Sequence, residues 1–407
     1  MAWTIMPERP APDPKAAPWW RRPRTRGYFY QAMVVVGTLY LLYVLVSNTV
    51  ANLRDRSIKT SFAFLEETAT FAIPLNFFPF WDFTLGESVY WDVFIIGVQN
   101  TIIITLLGIP TATILGLTLG VTMLSPNFLL RKLSTGFVEI FRNTPLLLQL
   151  LFWHFAFFPP IYNSLPPVRE SILTGGMVIN SAGIYLPAPT LAGSAGWALA
   201  AFLAVAAVAA VMLARHAHRR RMETGVGLPT GTYIVGIFVL ALAAFMFFFG
   251  DQVGVDLPEK KGLNYRGGMR PTKEIISLWF GLTVYTSTYI AENVRGGILS
   301  VNPGQSEAGM ALGLSRVLRM KLVVLPQALR VIIPPTISQY LNLTKNSSLA
   351  VAVGYPDITN IWLGIALNQT GQALIIVFMT IVVYETINAL TSLATNLYNR
   401  SVQIQER

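Results

Sequence analysis

Cysteine is absent from this 407-residue chain, which excludes disulfide staples and thiolate metal sites. Histidine is nearly absent: the three are His154, His216 and His218, too few for a His-rich metal site. Charged residues make up 12% of the chain, about half the share of a soluble domain. In their place stand apolar residues, at 53%, with a mean hydropathy of +0.52. This composition points to a polytopic membrane protein. The formal charge of +10 is therefore no sign of nucleic acid, since basic residues of membrane proteins collect in cytoplasmic loops. There is no Walker-type phosphate loop, no Ser-His-Asp arrangement and no metal-ligand spacing. The chain is expected to be no enzyme and to bind neither ATP nor metal itself.

The apolar runs set a chain order of about eight spans, at 28–50, 92–124, 134–158, 191–213, 231–250, 275–297, 328–350 and 372–396. Residues 1–27 are rich in proline and arginine, with Trp19 and Trp20 suited to the headgroup level. No small-residue cleavage site follows the first run, so a cytoplasmic tail is expected rather than a signal peptide. Loops are expected over 51–91, 159–190, 251–273 and 351–371. Four basic clusters share one side of this topology: the N-terminal arginines, Arg131 with Lys132, the turn with Arg215, Arg219, Arg220 and Arg221, and Arg316 with Arg319 and Lys321. That side is cytoplasmic by the charge rule, and both termini lie on it.

One stretch between apolar runs is polar, basic and full of small residues, over 303–326. Pro303 and Gly304 suit a helix start, and Glu307 is expected in the first turn. Ala308, Gly309, Ala311 and Gly313 leave room for another protein to approach the backbone. Pro326 marks entry to the next span. The spacing Glu307-Ala308-Gly309, Gly313, Val323, Leu325-Pro326 resembles the signature of permease subunits of bacterial ABC importers: Glu-Ala-Ala, three residues, Gly, nine residues, Ile, one residue, Leu-Pro. Gly309 and Val323 depart from it. In that family the stretch is a cytoplasmic coupling helix that docks on the ATPase subunit.

Further blocks resemble the polar-amino-acid members of the same family: Glu139-x-x-Arg142-Asn-Thr-Pro145-x-x-x-Gln149, Glu292-x-x-Arg295-Gly-Gly, Leu325-Pro-Gln327-x-x-Arg330 and Asn342-Leu-Thr344-Lys345-Asn-Ser347-Ser348. The long form is similar to permeases of broad-specificity L-amino-acid importers. The resemblance covers about 90–158 and 274–396.

Three-residue spacing places Glu139 with Arg142, and Glu292 with Arg295, on single helix faces. These are substrate contacts or structural pairs at a cytoplasmic gate; the structural reading is favoured. The density of polar groups over 342–348 forbids a lipid-facing helix. Lys345 there suits a substrate carboxylate, with Asn342, Ser347 and Ser348 as hydrogen-bond partners. The alternative is a capped helix end with Lys345 reaching for the interface. His154 is either a proton relay or, by preference, hydrogen-bonded between helices.

The expected fold is all-α and polytopic: a type I ABC importer permease core of five helices, plus one N-terminal and two inserted helices. Its parts are a tail (1–27), an extra span and periplasmic loop (28–91), the first part of the core (92–158), an insertion with two spans (159–273), the second part of the core (274–396) with the coupling helix at 303–325, and a cytoplasmic tail (397–407). The resemblance implies import of amino acids across the bacterial inner membrane. It further implies ABC ATPase subunits that bind the ATP, a second permease subunit in a heterodimer, and a periplasmic amino-acid-binding protein. The alternative is a secondary transporter driven by an ion gradient, with Glu139, Glu292 or Lys345 as ion sites.

Overall fold

A computed structural model describes residues 23–55, 60–73, 83–225, 228–262 and 264–402. The tail expected over 1–27 lies outside the described residues as far as residue 22. Two units form. The first, Met1–Ser61, contains helix α1 (Pro23–Asp55), whose 33 residues extend beyond the span expected at 28–50. The second, Phe62–Arg407, holds everything else.

The second unit is built on α2 (Tyr90–Thr122) and α8 (Lys273–Leu299). Their close approach is written in the glycines of α2. A Cβ on Gly116 would lie 2.6 Å from Ile290 Cβ, and one on Gly120 would lie 2.7 Å from the Ala291 carbonyl oxygen. Small residues four apart let two helix backbones meet without side chains between them. Against α8 also packs α11 (Leu325–Asn346), where Gly297 makes room for Ile332. The final helix, α12 (Ala373–Val402), packs on α11 and runs past the expected end of its span at 396. α2 continues unbroken through Pro110.

The third expected span, 134–158, is not one helix. It breaks between α3 (Phe128–Asn143) and α4 (Leu146–Phe152), and the two arms bend by 104°. Pro145 is the cause, because the residue before proline is pushed out of the helical region, and Thr144 is extended at φ −96°, ψ 129°. The carboxamide of buried Gln149 donates to the carbonyls of Phe141 at 2.7 Å and Thr144 at 2.9 Å. It satisfies groups that the broken helix leaves without partners. The chain then runs through a wide π turn, Trp153–Phe157, into α5 (Phe158–Asn163).

Five described helices are long and apolar enough to cross a membrane, or six if the bent pair counts as one span. α8 and α11 are not among them. α8 is packed on several sides and α11 on one face, so Thr283, Thr286, Ser287, Thr288 and Thr344 sit at buried positions without meeting lipid.

The expected loops at 159–190 and 251–273 form a small β module instead. Strands β1 (Ile172–Thr174), β2 (Met177–Asn180) and β3 (Gly183–Tyr185) make an antiparallel sheet. β4 (Ala188–Leu191), before the inserted helices α6 (Ala195–Thr224) and α7 (Thr230–Phe249), pairs with β5 (Val253–Asp256) after them, in the register Ala188↔Asp256 to Leu191↔Val253. This pairing zips the base of the helical hairpin and holds both loops at the α8 N-terminal end. β6 (Glu259–Lys261) and β7 (Asn264–Arg266) close the module around buried Val178, Tyr185 and Tyr265. The basic cluster expected in a turn near 219 belongs to the last turns of α6, at the hairpin's far end.

Candidate functional site

Downstream of α8 the chain folds into two short helices rather than one. α9 (Pro303–Ala311) starts behind Asn302, whose side-chain oxygen accepts from Gly304 N at 2.9 Å. Glu307 is the fifth residue of α9 and lies beyond the first turn, so it does not serve the helix N-terminus as expected. Gly313 ends the segment at φ +75°, where glycine carries no Cβ penalty. α10 (Arg316–Arg319) begins at Ser315, whose hydroxyl accepts from Leu318 N.

Gly309 is buried, and its missing side chain serves this chain's own packing: a Cβ there would lie 3.2 Å from Cγ and Cδ of Arg319. The surface offered outward is apolar. Met310, Leu312, Val317, Leu318 and Leu322 are exposed, Leu312 to 80%. Glu307 and Ala308 are exposed beside them. An apolar patch rimmed by Arg316 and Lys321 suits a protein partner. The helix continues through a π turn, Met320–Val324, into α11. Pro326, without an N–H, sits within the first turn of α11, where that loss is tolerated.

The two Glu-x-x-Arg blocks do not behave alike. Arg295 donates to Glu292 through Nε at 3.2 Å and Nη2 at 3.1 Å, closing the expected pair on α8. Arg142 does not pair with Glu139. It reaches across to Glu292 at 3.9 Å and lies over the Tyr289 ring at 5.5 Å. Glu139 is exposed on α3. One carboxylate therefore ties the α3 elbow to α8 at the end that leads into α9.

The 342–348 block divides between two faces of α11 and the 3-10 turn after it. Asn342 and Lys345 are exposed on one face, with Asn342 donating to Gln339 at 3.5 Å. Ser348 is half-buried and donates to the Lys345 carbonyl at 2.7 Å. Ser347 is fully buried and donates to the Thr344 carbonyl at 2.7 Å. The structure thus brings Asn342, Lys345 and Ser348 to one side and turns Ser347 into the packed interior. His154 Nδ1 lies 3.3 Å from Ser277 Oγ of α8, a contact between helices.

The expected loop at 351–371 hides the least expected part of the core. Gly354 turns at φ +75°, and a wide helical segment, Ile358–Ala366, buries Ile358, Ile361 and Trp362. Polar groups of α2 hold this link. Asn100 donates to the Pro356 carbonyl at 2.8 Å, Thr101 Oγ1 accepts from Ile358 N at 3.2 Å, and Tyr355 donates to the Asn100 carbonyl at 3.1 Å. Fully buried Asp357 caps the segment by accepting from Asn360 N at 2.8 Å. The readable signal is the turn-forming Gly354-Tyr-Pro-Asp shortly before the large apolar residues Ile361, Trp362 and Leu363.

Comparisons with known proteins agree with this geometry. Residues 228–404 match the family model described as "Binding-protein-dependent transport system inner membrane component". The chain is 41% identical to YhdX of Escherichia coli, over 95% of this chain and 96% of that one. It is 39% identical to the general L-amino acid transport system permease protein AapQ of Rhizobium johnstonii, over 95% and 94%. It is 34% identical to BztB of Rhodobacter capsulatus, a glutamate/glutamine/aspartate/asparagine transport system permease protein, over 94% and 95%. The ion-gradient-driven alternative finds no support among these relatives. Full-length identity at this level, on a core with an exposed apolar segment after α8, makes the chain a member of the amino-acid ABC transporter permeases, membrane-spanning inner-membrane components that are not themselves catalytic.

Proposed function

We propose that this chain is the membrane subunit of an importer of L-amino acids of broad range, driven by ATP that a partner subunit binds and hydrolyses. The observation that carries this reading is the apolar surface of Met310, Leu312, Val317 and Leu318, exposed at the opposite end of α8 from the β module. Glu307, Ala308, Gly309 and Gly313 shape it, and Pro326 joins it to α11. The ATPase docks there. Arg131, Lys132, Arg316, Arg319 and Lys321 favour the cytoplasm for this end, and the charge rule read along the sequence favours it for both termini. The β module then faces the periplasmic binding protein.

Asn342, Lys345 and Ser348 line the pathway, with Lys345 as the partner of a substrate carboxylate. Among the described residues no element covers the face that Asn342 and Lys345 occupy, so a second permease subunit supplies the opposite wall. Glu292, Arg142 and Arg295 tie α3 to α8 as the gate moves; Glu139 faces outward. Closure of the ATPase pair displaces α9, and the displacement travels along α8 and α11.

The test is uptake of labelled amino acids into proteoliposomes holding the complete complex. Uptake that needs ATP inside and binding protein outside is the expected result. Uptake by this chain under an ion gradient, without ATP, contradicts the reading.

A further inference from the structure

Where the inserted β module meets the start of α8, a cavity of about 300 Å³ opens between the end of α5, the β2–β3 turn and residues 270–274. Its walls carry Arg270, Lys273 and Glu274. Among the described residues the two ion pairs both belong to the Arg142–Glu292–Arg295 cluster, so none of these three charges is paired. Two cations and one carboxylate share one cavity with no salt bridge among them.

Arg270 is held in place all the same. Its guanidinium donates to the Ala182 carbonyl and lies over the Tyr185 ring at 5.3 Å. Neither contact neutralises it. Thr272, also in the wall, has a buried hydroxyl without a hydrogen-bond partner among the described residues, and it does not cap α8. Tyr162 and Asn163 add further polar groups. Unpaired charges of both signs around a small volume call for a ligand that carries both signs.

We propose that this cavity is an outer binding site for a free amino acid, and that it prefers the acidic ones. The α-ammonium pairs with Glu274. Two carboxylates pair with Arg270 and Lys273, so a ligand with one ammonium and two carboxylates matches the wall charge for charge. A neutral amino acid leaves one cation unpaired. The volume suits one such molecule. One wall is the β2–β3 turn and another is the start of α8, so the site lies where the insertion meets the core. The proposal rests on the amino-acid importer reading and deepens it: the site holds substrate at the outer mouth before it reaches the Lys345 face.

Equilibrium binding of labelled L-glutamate and L-alanine to the assembled complex in lipid nanodiscs, without the binding protein, tests it. The Lys345→Gln background separates this site from the inner pathway. Lys273→Gln is expected to weaken glutamate about tenfold, the loss of one charged hydrogen bond, and alanine much less. Glu274→Gln is expected to weaken both about tenfold, and Lys273→Arg to restore glutamate. Dissociation constants within about twofold of the parent in both Gln variants overturn the proposal, as does the absence of saturable glutamate binding to the parent. ATP-driven amino-acid uptake by the wild-type complex, measured alongside, distinguishes the failures. If uptake persists, the outer site alone falls; if uptake is absent, the importer reading falls with it.

Discussion

The sequence writes Glu-x-x-Arg twice, once on α3 and once on α8, and the molecule uses the two copies differently. On α8 the pair closes within the helix, Arg295 on Glu292. On α3 the spacing is the same, yet Arg142 leaves Glu139 and crosses to Glu292. The difference lies in the residues on the C-terminal side of each block. After Arg142 comes Asn143-Thr144-Pro145, where the helix stops and the chain turns by 104°. Arg142 therefore stands on the last turn, beside α8. After Arg295 the helix continues for a further turn to Leu299, so its neighbour on the same face is the partner within reach. Spacing fixes which side chains share a face; the end of the helix decides which of them finds a partner elsewhere.

The strongest way to break this contrast is to loosen the elbow. Gln149→Leu removes the carboxamide that satisfies the Phe141 and Thr144 carbonyls and leaves two half-buried acceptors at the break unmet. A loss of about 2 kcal/mol is expected, read as a lower thermal midpoint of the purified complex, together with impaired transport. Next comes Glu292→Gln, which strands both arginines. Each pair is partly exposed and worth about 1 kcal/mol at most, so stability should fall modestly while uptake falls more, because the tie between α3 and α8 is lost. Arg142→Lys sharpens the point. It keeps the charge but loses the planar group over Tyr289, and should fall between wild type and Glu292→Gln in the same uptake assay. The smallest effect belongs to Glu139→Gln, whose thermal midpoint should shift by no more than a surface substitution does, about 0.5 kcal/mol. A Glu139→Gln loss as large as that of Glu292→Gln would mean that the two blocks are equivalent after all.

Much of the architecture is legible in the sequence. The small-residue stretch after Arg295, the run Asn-Thr-Pro145 and the polar run at 342–348 each carry a local physical signal, and each marks a real break or exposed face. The hidden features depend on where each helix starts or tightens and on what packs against it. Glu307 misses the first turn because Asn302 starts α9 and fixes its count. Gly309 suggests room for another protein, but Arg319 from α10 occupies that room. Ser347 shares a polar run with Lys345, yet the helix tightens there and turns it inward. The β module is legible in part: Gly175-Gly176 between two short apolar runs is a hairpin signal, and both glycines have positive φ. The pairing of β4 with β5 is not, because 61 residues of helical hairpin separate Leu191 from Val253.

Under the proposed function, the apolar segment after α8 is the surface that holds the ATPase. Leu312 is the most exposed of its residues, so Leu312→Asp should leave the membrane core intact. Co-purification of the ATPase with the variant, scored against wild type in the same detergent, is the direct measurement. The expected result is that the ATPase is largely lost while the permease remains folded, with an unchanged thermal midpoint. An ATPase retained at the wild-type ratio, with normal ATP-driven uptake, would contradict it.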